Sequence, residues 1–256
     1  MQILFRDDYF VAVNKPAGLL VHRSRIAAQE TRFAMQLVRD MIGQHVFPLH
    51  RLDKPTSGVL LFAFQAQTAT DMMKIFEAGE VEKTYLAVVR GHIDETGVID
   101  YPLKEEHDKM TDALADQEKP AQAAITAYRR LATVELPFAV GRYNHSRYSL
   151  ISANPLTGRK HQIRRHMKHI FHPIIGDTTH GDGKHNIAFR EHLNCRRLLL
   201  HALELSFLHP YVKSPVCIRA PLDGAITSVL SLMGWSEAVD SSTLAGRDAD
   251  YIGRRA

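Results

Sequence analysis

The sequence predicts a globular chain of alternating strands and helices, and three observations predict it. The six residues Val59-Leu60-Leu61-Phe62-Ala63-Phe64 form an apolar run bounded by turn formers, with the length and composition of a buried strand. Thr31 to Ile42 and Gln67 to Ala78 carry apolar side chains at helical spacing, and Gly43 and Gly79 stop them. Glu82 to Gly91 is rich in Val, Thr and Tyr and reads as another strand. With 256 residues, 45% hydrophobic and 23% charged, the chain has an ordinary soluble composition and can bury a sizeable core.

The elements follow in order. Ile3 to Val13 reads as two short strands around Asp7-Asp8. They lead into the turn Asn14-Lys15-Pro16-Ala17-Gly18, after which Leu19 to His22 is extended again. The helix over Gln67–Ala78 is expected to bury Met72, Met73, Ile75 and Phe76 as core filler. Alternation along Glu82–Gly91 places Lys83, Tyr85 and Ala87 on one face. Lys104 to Ala121 is polar and reads as an exposed loop or loose helix. Ile125–Val134 and Tyr148–Ala153 read as strands, and the basic segment between them carries the aromatics Phe138 and Tyr143. Thr157 to His166 opens a helix with Ile163, Met167 and Ile170 on one side. His161, Arg165, Lys168 and His172 cluster opposite, and Arg164 lies at the border. Arg197–Ala202 opens a strand, Val212–Ala220 a hairpin, and Gly224–Gly234 a closing helix. The expectation is one domain over residues 1–237 and a polar, poorly ordered tail over 238–256.

The stretch that carries chemistry is His50-Arg51-Leu52-Asp53-Lys54-Pro55-Thr56-Ser57-Gly58, immediately before the apolar run. If His50–Asp53 is extended, Arg51 and Asp53 share a side and Leu52 takes the other. Pro55 and Gly58 make a tight turn, so a carboxylate would be clamped onto a core strand. An isolated Arg-x-Asp is ordinarily a solvated pair of little energetic weight. The nine-residue string is far rarer.

Charge points to an anionic partner. The net charge is only +4, but Leu136 to Gly176 contains no acid and seven bases: Arg142, Arg147, Arg159, Lys160, Arg164, Arg165 and Lys168. The rest of the chain is therefore 4 − 7 = −3. Localised basicity of this kind suits nucleic acid. No apolar run approaches the roughly 20 residues that span a bilayer. The first eight residues carry acids where a signal peptide carries bases. Cys195 and Cys217 are the only cysteines and have no metal-ligand spacing, which suits reduced thiols in the cytoplasm.

His-Arg-Leu-Asp-x-x-Thr-Ser-Gly over residues 50–58 resembles the catalytic motif of the RluA-type pseudouridine synthases at every fixed position. Asn-Lys-Pro-x-Gly at 14–18, Lys-x-Tyr at 83–85 and Gly-Arg-x-His-Gln-Ile-Arg-x-His at 158–166 resemble further family segments, in order. The resemblance implies an α+β fold with a mixed, largely antiparallel sheet, flanking helices and a central RNA-binding cleft. It implies Asp53 as the catalytic carboxylate, Arg164 as its partner, and Tyr85 stacked on the target uracil. Arg51 would fill the space that the flipped base leaves. Lys15 becomes an active-site neighbour, where the residues alone suggest a solvated turn lysine. Arg159, His161, Arg165 and Lys168 would contact substrate. His180 stands where many members have Tyr and receives no role. Gly43–Phe47, Leu131–Glu135 and Gly-Asp-x-x-His-Gly over 176–181 resemble a tRNA-modifying branch. That branch implies tRNA as partner and a T-stem uridine, position sixty-five, as target, with ribosomal RNA as the alternative substrate. No obligate protein partner is implied.

The chemistry sets its own demands. Uridine becomes pseudouridine when the C1′–N1 bond breaks and a C1′–C5 bond forms, with no atom or electron gained. No metal, nicotinamide or ATP is required, and no phosphate loop or ligand cluster is evident. A carboxylate beside the ribose is required, as nucleophile at C1′ or base at C2′. A buried carboxylate needs an opposite charge, which Arg164 would supply. Three rivals make different demands. A non-catalytic RNA-binding protein would share the basic window but not need Asp53, Tyr85 and Arg164 together. An aspartyl-phosphate phosphotransferase would place its aspartate after an apolar strand, whereas the apolar run follows Asp53. A zinc enzyme would need a tighter set than His166, His169 and His172.

Overall fold

The computed structural model describes residues 1–22, 31–105 and 120–239. Most of the polar stretch read as a loop over Lys104–Ala121, and the tail beyond residue 239, lie outside the described residues. Among the described residues the order is β1 (Gln2–Arg6), β2 (Phe10–Lys15), α1 (Ala34–Ile42), β3 (Phe47–Pro48), β4 (Ser57–Ala63), α2 (Ala66–Glu77), β5 (Glu82–Arg90), β6 (Thr96–Asp100), β7 (Ile125–Leu136) and β8 (Ser146–Pro155). Then come α3 (Gln162–His169), α4 (Gly183–His192), β9 (Leu200–Leu208), β10 (Pro215–Arg219), α5 (Gly224–Leu232) and a short 3-10 turn at Ser236–Val239.

The strands form one ten-stranded mixed sheet in the order β1-β2-β4-β9-β5-β8-β7-β6, with β3 on β4 and β10 on β9. Every pairing is antiparallel except β4 with β9, where Ser57 faces His201 and Gly58 faces Ala202. This parallel contact joins the two halves of the sheet. Gly58 makes it possible: its φ is +115°, and a Cβ there would meet the Ala202 carbonyl oxygen at 2.1 Å. Any other residue would force the halves apart, because backbone cannot move aside as a side chain can.

Helices cover both faces. All seven residues of β4 are buried, because both of its sides are packed. Val59 and Leu61 face Met72 of α2, while Leu60 and Phe62 face Ala34 and Val38 of α1. Farther along the sheet, Leu86, Val88 and Leu150 pack under α4 and α5, with Phe189 and Trp235. On the opposite face Ala87, Val89 and Ile151 pack under Ile163 and Met167 of α3. Tyr85 touches both the α1 cluster and the α3 cluster, so it stands at the seam between them.

Several local readings change. Met73 is 41% exposed and is not core filler, since α2 buries Met72 instead. Helix α3 ends at His169, so His172 does not extend its cationic side; its Nδ1 pairs with the Arg90 carbonyl at 2.7 Å. Strand β6 and helix α4 carry weak periodicity and were not evident in the sequence. The side chain of Asp182 caps α4 by accepting from the Lys184 N–H at 3.0 Å.

Candidate active site

Asp53 sits in a β-turn that delivers the chain into β4. The Thr56 N–H donates to the Asp53 carbonyl at 3.0 Å, closing the turn over Lys54-Pro55. Leu52, 4% exposed, packs with Val13, Leu60 and Ala202, while Arg51 on one side of it is exposed and Asp53 on the other is half-buried. Burial thus alternates along Arg51-Leu52-Asp53, with the leucine buried and the polar pair turned away from the core. His50 holds the other end of the segment, since its Nε2 accepts from the Leu61 N–H at 3.1 Å.

Arg164 reaches this turn from α3, 111 positions later. Its Nη1 donates to Asp53 Oδ2 at 2.9 Å. Its Nε and Nη2 donate to the two oxygens of Asp177 at 2.7 and 2.9 Å. Asp177 Oδ1 also accepts from the Thr179 and His180 N–H groups, both at 2.9 Å. Burial pushes the Asp177 carboxyl up, but Arg164 and the His180 and Thr179 amides outweigh it and hold it below its ordinary range. Burial likewise opposes the charge on Arg164, and its two carboxylates outweigh that and raise its pKa. Asp177 therefore fixes the guanidinium as a fork, and the remaining edge of that fork is aimed at Asp53.

No role was assigned to Asp177 from the sequence. Asp177 follows the buried Ile174-Ile175 pair and Gly176, which has φ +79° and lies so close to the Arg197 carbonyl that a Cβ would be 1.9 Å from its oxygen. A carboxylate presented from so constrained a turn has a fixed direction.

Tyr85 lies one strand beyond the parallel joint. Gly58, Ala202, Tyr85 and Ala153 form one row across β4, β9, β5 and β8. The β5–β9 register shifts between Thr84 and Tyr85, so the ladder is irregular where Tyr85 enters the row. Burial, and secondarily the Asp53 charge, push the Tyr85 hydroxyl pKa upward, so the ring presents a neutral phenol.

The remaining expected site residues divide. His161 opens α3 in a left-handed conformation, φ 55°, with Nε2 3.9 Å from Asp53 Oδ1 and Nδ1 3.0 Å from His180 Nε2. His180 is thereby brought within one residue of the carboxylate. Arg159, Arg165 and Lys168 lie on the outer side of the same segment. Arg159 donates to the Ala123 carbonyl at 3.1 Å and Arg165 to the Lys104 carbonyl at 2.9 Å. Lys168 is exposed.

Lys15 is not where substrate could reach it, and it is not a solvated turn lysine. It is fully buried, and its ammonium donates to the carbonyls of Pro16, Leu19 and Lys54 at 3.0, 2.8 and 3.2 Å. Three donors are matched to three acceptors, so Lys15 ties the 14–18 turn to the Asp53 loop. Burial chiefly, then the Arg197 charge, lower its pKa to about 7, with Asp53 opposing. Arg197, also unassigned, donates from Nη2 to Ser57 Oγ at 2.8 Å and pairs with Asp223. Ser57 Oγ in turn lies 2.7 Å from His201 Nδ1. Burial, with the Arg197 charge behind it, pushes His201 down to about 4. Burial, then Lys83, does the same to His50.

These two histidines give a pH dependence. From the ordinary value of 6.5 down to about 4 the unfolded chain takes up protons that the folded chain refuses. Stability therefore falls as pH drops through that window and is unaffected above it. Urea unfolding at pH 7 and pH 5 will show the loss. In His50→Gln, whose amide oxygen can accept from Leu61 without titrating, the fall will be shallower.

The family model described as RNA pseudouridylate synthase matches residues 9–169, more than half of the chain. The chain belongs to the RNA pseudouridylate synthase family. The matched span includes Asp53, Tyr85 and Arg164 and ends before Asp177. The chain is 59% identical over 239 residues to the tRNA pseudouridine synthase C of Vibrio cholerae, covering 93% of this chain and 98% of that protein. It is 52% identical to the tRNA pseudouridine synthase C of Haemophilus influenzae, covering 92% and 98%. Among solved structures, human RNA Pseudouridylate Synthase Domain Containing 4 superposes with a TM-score of 0.68 at 25% identity, covering 91% of this chain and 92% of that one. The Domain Containing 1 protein gives 0.65, also at 25%, covering 86% and 82%. The pseudouridine synthase fold, with its mixed and largely antiparallel sheet, is thus the fold of this chain, and the chain is an isomerase of that family.

Proposed function

We propose that this pseudouridine synthase acts on tRNA, with Asp53 as its catalytic carboxylate and the T-stem uridine at position sixty-five as its target. The observation that carries the reading is the Asp53–Arg164 pair, braced by Asp177 and set beside Tyr85. The names of the related bacterial proteins support the choice of tRNA.

In this reading the target uracil leaves its stack, which requires a few kcal/mol. Stacking on the Tyr85 ring returns about 1–3 kcal/mol of that. Exposed Arg51 enters the space left in the helix. Arg164 aims the Asp53 carboxylate at the ribose, where it acts as nucleophile at C1′ or base at C2′. Either route frees the uracil to turn and rejoin C1′ through C5. The proton on C5 departs and N1 gains one, so the reaction balances with no cofactor. The outer cations Arg159, Arg165 and Lys168 track phosphates, and an RNA-modifying enzyme of this kind works in the cytoplasm.

The test is to incubate the purified protein with unmodified tRNA and ribosomal RNA transcripts and map pseudouridine by carbodiimide-dependent primer-extension stops. One new stop in the T stem is expected, persisting in EDTA. Stops confined to ribosomal RNA would overturn the tRNA assignment. Tight RNA binding with no stop in either would favour a non-catalytic RNA-binding role.

A further inference from the structure

Helix α3, which supplies Arg164, ends on a residue whose side chain brings little packing to the fold. The Phe171 N–H donates to the Lys168 carbonyl at 3.0 Å and the His172 N–H to the Met167 carbonyl at 2.8 Å. These are the two bonds of a Schellman cap, whose left-handed position is ordinarily glycine. Here it is Phe171, at φ 64°. A bulky residue is strained in that region. Its ring is also 79% exposed, so it returns no packing for the strain.

The position is held firmly despite this. Arg90 donates from Nη2 to the Phe171 carbonyl at 3.1 Å while its Nη1 pairs with Asp182 at 2.6 Å. His172 is fixed to the Arg90 carbonyl. Lys168 and His169 are exposed on the same helix end, in the segment without Asp or Glu. Of the acids on neighbouring elements, Asp182 is paired with Arg90, and Asp94 lines a pocket with Ile170 and His172. The five residues from Arg164 to the last helical residue, His169, rise about 7.5 Å along the axis, so Phe171 stands beyond the end of the helix that supplies the catalytic pair.

We propose that Phe171 is a stacking platform for a nucleobase of the tRNA other than the one isomerised, with Lys168 holding the neighbouring phosphate. This rests on the tRNA reading above. Charge complementarity selects the partner: an exposed aromatic face among bases, with no acid beside it in sequence, suits a nucleotide.

The measurement uses the full-length protein, unmodified tRNA transcript and the variants Phe171→Gly and Phe171→Trp. Glycine relieves the strained φ, so Phe171→Gly is expected to raise Tm while weakening the Kd for tRNA about 5- to 100-fold. The slope of log Kd against log salt is expected to stay the same, because no phosphate contact is removed. Phe171→Trp is expected to regain the affinity without the gain in Tm. A Kd within twofold of wild type for Phe171→Gly, a lowered Tm, or failure of Trp to restore binding would each overturn the platform. If the wild type forms pseudouridine in tRNA and Phe171→Gly binds normally, only this proposal falls. If the wild type forms none, the tRNA reading falls, whatever the Kd values.

Discussion

Asp53→Asn is expected to abolish turnover while leaving the fold and RNA binding intact. Asparagine keeps the shape of the side chain but cannot act as a carboxylate nucleophile or as a base. Loss of such a group ordinarily lowers kcat by about four orders of magnitude or more. Stability should change by no more than about 1 kcal/mol, because Arg164 keeps its two bonds to Asp177 and the Asp53 side chain is not fully buried. Single-turnover assays on tRNA, filter binding and thermal melting separate these quantities. A variant that still modifies RNA at more than a hundredth of the wild-type rate would remove Asp53 from the chemistry. So would a variant that fails only because it no longer binds.

Asp177→Ala is expected to damage both stability and catalysis, and by a different route. The Asp177 side chain is 1% exposed and Arg164 is 4% exposed, so its removal strands a buried guanidinium with a single partner. Breaking a buried pair in this way costs about 3–5 kcal/mol. In a chain of this size that is a Tm lower by about 10 °C. The surviving Arg164 loses the bidentate grip that fixes its direction, so kcat should fall at a temperature where the variant is still folded. Melting curves and kcat measured at 15 °C check both parts. A variant as stable as wild type would show that Arg164 is held by other contacts. Unimpaired kcat in the folded variant would show that the fork does not aim Asp53.

Much of this site was legible before any coordinates. The Leu52 alternation, the Pro55-containing turn and the apolar run behind it are local patterns, and local sterics settle them. The pairing of Arg164 with Asp53 came from motif resemblance, because no periodicity links residues 111 positions apart. For Lys15 the residues alone suggest a solvated lysine, because a lysine beside Pro16 and Gly18 normally points to water. What inverts that expectation is the convergence of three carbonyls from two turns, Pro16 and Leu19 in one and Lys54 in the other. Asp177 stands in the Gly-Asp-x-x-His-Gly segment, but nothing in that pattern marks its carboxylate as buried.

By itself, then, the chain order determined most of the strands and helices, the family and the segments that bear the chemistry. Those depend on interactions a few residues apart, or on motifs long enough to be rare. Only the tertiary structure decided which charges are interior and which are surface. That choice depends on which groups converge once β4 meets β9, and a buried charge persists only where partners from distant segments arrive at bonding distance.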